Sequence, residues 1–301
     1  MDKKKFINSK FKYFEKLLKT SENNDIKYLQ SLKEYVNYGV KSFDYEVMIF
    51  DEKKLTHYDN LKILNFTLRN FKSKGIVLFN NDRNYLDLLN GYYVIILYNI
   101  LNLKNKQLAP AVLSTDLSLI FILALTYFPK ESDLVGRQLI RFLNYHKSRE
   151  EEKKHYKGRM KEMFGYSDVV WLSSIISKYY GKEDLSKEIN EYCNKTINPT
   201  YKKAIDNLFS KDKSVVNEWV NELVEFHIKN SKSDLTLPFN HEEWQYYPIE
   251  IISLLEIRLR EGLEIDFIEN EFLEHFLPYL GITIPIKLDE FTLNLKNRIL
   301  Y

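Results

Sequence analysis

YLDLLNGYYVIILYNILNL, residues 85–103, and LAPAVLSTDLSLIFILALTYF, residues 108–128, decide how this chain is read. A surface helix carries an apolar stripe with polar residues opposite. These two runs are apolar on nearly every side, which is the pattern of helices at the centre of a bundle. The second run has no Lys or Arg, yet it holds Pro110, Asp116 and several hydroxyls. Its unbroken apolar stretch, Leu119–Leu125, is far shorter than the roughly 20 residues a membrane span needs. Both are read as buried core helices, with no membrane partner.

Helical spacing extends outward from this pair. Upstream, Phe11, Phe14, Leu17 and Leu18 share a face, as do Tyr28, Leu32, Tyr35 and Val36. Phe43–Phe50 (FDYEVMIF) reads as a short strand or an extended arm. Leu61, Leu64, Phe66 and Leu68 have no clear phase, and a loop is expected over Ser73–Asp82. Downstream, Ser132 caps a helix bearing Leu134, Leu139, Phe142 and Leu143. Ser148–Arg159 is charged almost throughout, with Glu150 and Lys154 paired at i,i+4 on a solvated helix. Ser167 and Asp168 open a helix with Val169, Leu172, Ile175, Ile176 and Tyr179 inward, stopped by Gly181. Asn198-Pro199 is a cap followed by proline at the first helical position. The helix it starts carries Tyr201, Ala204, Ile205 and Leu208. A polar turn, Ser210–Ser214, leads into a partner helix with Val215, Val216, Trp219, Leu223, Val224 and Phe226.

Asn240–Glu243 has the form of a capping box. Pro248 begins an apolar helix that Gly262 ends, Phe272–Leu280 reads as a last helix, and the tail GITIPIKLDEFTLNL reads as a strand or draped arm. With 9 Gly and 7 Pro in 301 residues, breakers are too scarce for a turn-rich all-β fold or for Gly-rich phosphate loops. The expected fold is therefore all-α: a multi-helix bundle of stacked helix hairpins, with a short strand or extended arm at Phe43–Phe50 and at the C-terminus. It is read as one domain, 1–301, with a division into 1–130 and 131–301 as the alternative.

A single cysteine, Cys193, excludes an intramolecular disulfide and reads as a small buried hydrophobe. The start MDKKKFINSKFKYFEK has no apolar run behind its lysines, so a cytoplasmic location is expected. No two of the six histidines (57, 146, 155, 227, 241 and 275) stand at the i,i+3 or i,i+4 spacing of metal ligands on one helix. HExxH, GxSxG and GxxxxGK[ST] do not occur. No metal, no cofactor and no enzymatic activity are expected.

The one catalytic alternative is Arg141–His146 (RFLNYH), which has the Arg-four-residues-His spacing of the HEPN class of helical ribonucleases. Phe142 stands where that class carries a polar residue. Nine Arg and six His produce an Arg-(four to six residues)-His spacing by chance roughly half a time per chain. The bland reading places both residues at a solvated helix end, where the dipole favours His. His227, beside Trp219 and Leu223, reads as a partly buried, hydrogen-bonded residue.

The net charge of +2 is a cancellation. Residues 1–74 hold 16 Lys/Arg against 10 Asp/Glu, while residues 231–301 hold 6 against 13. The N-terminal lysines are scattered rather than arrayed in a stripe, so no nucleic-acid partner is expected. The acidic end suggests a face that steers a basic protein partner.

Residues 197–281 resemble a known family. A Tyr-x-x-Ala-Ile-x-x-Leu helix (Tyr201, Ala204, Ile205, Leu208) is followed by the turn KDKS and a helix running from Trp219 to His227. An aliphatic helix then closes in Arg260–Ile265 (REGLEI), and Leu277-Pro278 follows. This pattern resembles the Immunity 49 family of bacterial polymorphic-toxin systems and, second, the helical PoNi immunity proteins. The Gly-Tyr-Trp signature of the latter is replaced by Glu243-Trp244-Gln245-Tyr246. The resemblance implies a protein that neutralises a cognate toxin domain by stoichiometric binding. It supplies no catalytic residues. A helical scaffold or regulatory module is the remaining alternative. Glu242, Glu243, Trp244, Tyr246, Glu250, Glu261, Glu264, Asp266, Glu269 and Glu271 are the candidate toxin-binding surface, with Trp244 or Tyr246 as anchors.

Overall fold

Residues 2–106, 113–148, 168–193, 197–234, 237–282 and 286–301 are described by a computed structural model. Among them are thirteen α-helices and one two-stranded antiparallel sheet, which bears out the all-α reading with a short strand segment. The charged pair Glu150–Lys154, His155 and the Ser167 cap lie outside the described residues. The chain forms two compact units. One comprises residues 1–10 and 108–284, the other residues 11–107 and 285–301.

In the second unit, α1 (Lys3–Asn24, of which the part from Phe11 belongs here), α2 (Ile26–Tyr38), β1 (Ser42–Ile49), β2 (Glu52–Asp59), α3 (Asn60–Asp82) and α4 (Tyr85–Lys104) follow one another. Helix α4 is the first of the two apolar runs. Asn84 caps it by accepting from the Leu86 N–H at 3.2 Å, and Tyr92, Val94, Ile96 and Leu97 are wholly buried. It is long and apolar enough to cross a membrane, but 78% of that span is buried inside the protein.

Helix α3 packs along α4 and corrects the loop expected at Ser73–Asp82. The helix continues through Gly75 because that glycine serves contact rather than a turn. A Cβ on Gly75 would stand 2.7 Å from the Asp87 carbonyl oxygen, and one on Gly91 would stand 2.7 Å from that of Phe71. The two backbones therefore meet where neither residue has a side chain.

The C-terminal tail also corrects its reading. Residues Glu290–Leu300 form a helix, numbered α13 below, and not a strand or arm. Asp289 caps it, accepting from the Thr292 N–H at 2.9 Å and the Thr292 hydroxyl at 2.7 Å. Thr292, Leu295 and Ile299 face inward at helical spacing. The alternation of Phe291, Leu293 and Leu295 misleads because Leu293 is exposed.

The strand expected at Phe43–Phe50 is β1, but its partner β2, EKKLTHYD, was not foreseen. Most of its residues face solvent, so it carries no apolar alternation to read. A two-residue turn with both Phe50 (φ 51°) and Asp51 (φ 64°) left-handed joins the strands, the geometry of a type I′ hairpin.

The first unit is built around α5 (Ser114–Tyr127), the second apolar run, in which every residue from Ser114 to Thr126 is buried. Around it pack α6 (Ser132–Ser148), α7 (Asp168–Tyr179) and α12 (Ile249–Arg260). Helices α8 (Glu183–Asn190), α9 (Pro199–Asp206), α10 (Lys213–Lys229) and α11 (Glu242–Tyr246) complete the unit. Asn198 caps α9 through the Thr200 N–H, with Pro199 next in line as its spacing predicts. Asp212 caps α10 through the N–H groups of Ser214 and Val215. Tyr179 is exposed rather than inward.

Two helix readings near the end of this unit are corrected. Asn240 is not a helix cap: His241 occupies that position without a side-chain bond, and the Asn240 carbonyl instead accepts from the Gln245 amide at 3.1 Å. Phe272–Leu280 is a series of turns closing in a 3₁₀ turn at Leu277–Tyr279, because Pro278 has no N–H to continue an α-helix.

Gly75→Ala should lower stability by about 1–3 kcal/mol in urea denaturation, since the added methyl overpacks a backbone-to-backbone contact. Gly262→Ala, where φ is +72° and nothing lies within 4 Å of the would-be Cβ, should cost only about 1 kcal/mol through backbone strain.

Candidate functional site

The candidate acidic surface starts where α12 ends. Gly262 turns the chain with φ +72°, its N–H bonding to the Leu259 carbonyl and the Leu263 N–H to that of Arg258. From there to Glu274 the chain runs in turns with its side chains sorted by polarity. Ile265, Ile268, Phe272 and Leu273 are buried, whereas Glu261, Glu264, Asp266, Glu269, Glu271 and Glu274 are exposed. Asn270 stiffens the run by accepting from the Phe272 N–H at 3.0 Å and donating to Asn221 at 2.7 Å.

Beneath it lies Arg258, only 1% exposed, which donates to the carbonyls of Leu208, Ser210 and Glu264. One buried guanidinium thus ties the turn between α9 and α10 to the acidic segment. Arg260 lies 4.2 Å over the Tyr180 ring. Neither arginine of this region therefore neutralises the outward carboxylates. Among the described residues, only Glu264 of the six is paired with a cation, Lys213 at 3.3 Å.

Four of the ten candidate surface residues are interior, which corrects their assignment. Trp244 and Tyr246 are 1% and 0% exposed, so neither can anchor a partner. The Tyr246 hydroxyl meets His275 Nε2 at 3.1 Å. Glu243 is buried, and Glu250 is a core residue whose carboxylate takes His227 Nδ1 at 2.6 Å. The other ring nitrogen of His227 faces the Gln245 carbonyl at 3.3 Å, so both ring nitrogens have a hydrogen-bond partner. This bears out the hydrogen-bonded reading of His227, with burial complete rather than partial. Burial first, and Glu250 and Asp168 next, hold the Tyr201 hydroxyl well above its usual range, which keeps it neutral. Glu256, another acid of this stretch, accepts from Gly281 N–H at 3.2 Å, and burial raises its carboxyl above the ordinary range. Glu242 is half-buried, and Glu261, Glu264, Asp266, Glu269 and Glu271 remain as the exposed set.

The alternative pair Arg141 and His146 lies on the continuous helix α6. Five residues of α-helix turn through about 500°, so the two Cα–Cβ directions diverge by about 140°. His146 is buried, with its ring 4.2 Å from that of Phe142. No group of three or more His, Cys, Asp or Glu capable of holding a metal occurs among the described residues.

In the second unit a cavity of about 780 Å³ is lined by Lys41, Lys104 and Arg298. Two of these cations already serve helix ends. Arg298 donates to the Val36 and Asn37 carbonyls at the end of α2, and Lys104 donates to that of Leu300 at the end of α13.

One constellation escaped the sequence reading. Ser42 Oγ bonds His57 Nε2, and His57 Nδ1 bonds Asp44 Oδ1 at 2.7 Å. The signal for it is the pairing register, which sets Asp44 directly opposite His57. That register cannot be drawn without knowing that β2 exists.

Comparison with protein-family models, curated proteins and solved structures finds no match to this chain.

Removing one partner of the buried pair should unfold the unit far more readily than any surface change. His227→Ala or Glu250→Ala is expected to cost about 3–5 kcal/mol in denaturant titration, against under about 0.5 kcal/mol for Glu271→Gln. Cys193, whose thiol is pushed up to about 12 chiefly by burial, should be slow to react. Its labelling by a disulfide reagent at pH 8 should be at least ~10-fold slower in the native protein than in urea.

Proposed function

We propose that this chain is an immunity-type binding protein that neutralises a basic cognate toxin domain in the cytoplasm by occluding it. The observation that carries this reading is the anchored acidic segment 261–274, with six outward carboxylates and a single cation partner among the described residues. Such a surface raises the encounter rate with a positively charged partner and aligns it before contact. Because Ile265, Ile268, Phe272 and the Arg258 clamp hold the backbone, little ordering is required on binding, which favours affinity.

The resemblance to Immunity 49 proteins supports the same reading, since residues 197–281 contain both the acidic segment and the α9–α10 hairpin that Arg258 ties to it. Inhibition by occlusion requires a shaped, charged surface and no catalytic group. Glu261, Glu264, Asp266, Glu269 and Glu271 are the contact residues in this proposal, and the buried Trp244, Tyr246, Glu243 and Glu250 support the core from within.

The test pairs the purified chain with a toxin domain encoded by an adjacent gene, and the absence of any such gene would overturn the reading. Reversing Asp266, Glu269 and Glu271 together to Lys should slow association at least ~10-fold at low salt and flatten its salt dependence. Unchanged association and unchanged protection of toxin-expressing cells would overturn the assignment of this surface.

A further inference from the structure

The outer face of the β1–β2 hairpin carries a serine, a histidine and an aspartate in hydrogen-bonded sequence. Antiparallel pairing sets Asp44 opposite His57. Counting from the two-residue turn, this is a non-hydrogen-bonded pair, in which facing side chains approach most closely. Ser42, two residues before Asp44, lies on the same face and reaches the same ring from the other side. His57 therefore has Asp44 on Nδ1 and Ser42 on Nε2, the order in which an imidazole held by a carboxylate can take a proton from a hydroxyl.

The three residues are at the anchored root of the hairpin, away from its tip. The Asn60 N–H bonds the Lys41 carbonyl at 3.0 Å, Phe43 is buried, and the inner face packs Tyr45 and Tyr58 against Tyr28 and Phe66. The outer face is open, with the side chains of His57 and Asp44 69% and 58% exposed.

We propose that Ser42 is a nucleophile for small activated esters, with His57 as its general base and Asp44 as the residue that positions the ring. The Ser42 oxygen bonds the ester carbonyl carbon while its proton passes to His57 Nε2. The tetrahedral adduct then loses the alcohol, which takes that proton. Water attacks the acyl-serine with the same base, releasing the acid and restoring the hydroxyl. Exposure leaves the hydrogen bonds in competition with water, so the expected gain is at the low end of the ~10²–10⁴-fold range for general-base assistance.

The experiment treats the full-length protein with a fluorophosphonate, which phosphonylates an activated serine with loss of fluoride, and locates the adduct by peptide mass spectrometry. Wild type should carry it on Ser42, and Ser42→Ala should lose it. His57→Ala should react at least ~10-fold more slowly. Asp44→Asn should slow the reaction, and Asp44→Glu should restore it in part. All the substituted positions are exposed, and unchanged circular dichroism verifies the fold of each variant. No adduct on Ser42, or one that forms as fast in His57→Ala, would overturn the proposal. Neither result bears on the acidic surface of the other unit.

Discussion

A helix that is apolar on every side cannot face water along any edge, and this chain contains two of them. Each must be enclosed by its own set of neighbours, and this constraint organises both units. Helix α4 is enclosed with the help of α3 and α13, and α5 by α6, α7 and α12. Fully burying one large aliphatic or aromatic side chain is worth about 1.5–3 kcal/mol. Each helix buries most of its length, so the amphipathic elements around it have a fixed surface to pack on. The Gly75–Gly91 contact follows from the same demand, since close backbone approach lets α3 cover more of α4.

Inside the first unit, polar groups fix how the helices are joined. Arg258 and the His227–Glu250 pair are almost wholly buried. A buried polar or charged group is tolerable only when it is hydrogen-bonded, so each of these groups demands particular carbonyls or carboxylates from neighbouring segments. Arg258 takes its partners from the α9–α10 turn and the acidic segment. His227 links α10 to α12 through Glu250. The acidic segment is not helical, yet it is held from below by one guanidinium and a row of apolar side chains, which keeps its carboxylates in place on the outside.

Periodicity made the core helices legible, and cap chemistry made several boundaries legible. Asn198-Pro199 and the stops at Gly181 and Gly262 stand where local rules place them, because a cap or a left-handed turn depends on a few adjacent residues. The misreadings share a cause. Gly75 looks like a breaker until its neighbour on α4 is known, and Phe291, Leu293 and Leu295 alternate like a strand until a core selects Thr292, Leu295 and Ile299. Strand β2 has no apolar face to announce it. Each depends on a partner distant in sequence.

The acidic stretch shows the same division at the level of the candidate site. Composition alone determined that the net charge cancels between a basic beginning and an acidic end, and that helices dominate. These are properties of residue types and of their local spacing. Only the tertiary structure decided which acids are surface and which are core: Glu250 and Glu256 are drawn inside by His227 and by the Gly281 N–H, while Asp266, Glu269 and Glu271 stay out. Only the strand register placed Ser42, His57 and Asp44 together. The reason is physical. Burial and cross-strand pairing are relations between distant segments, whereas propensity and charge belong to each segment by itself.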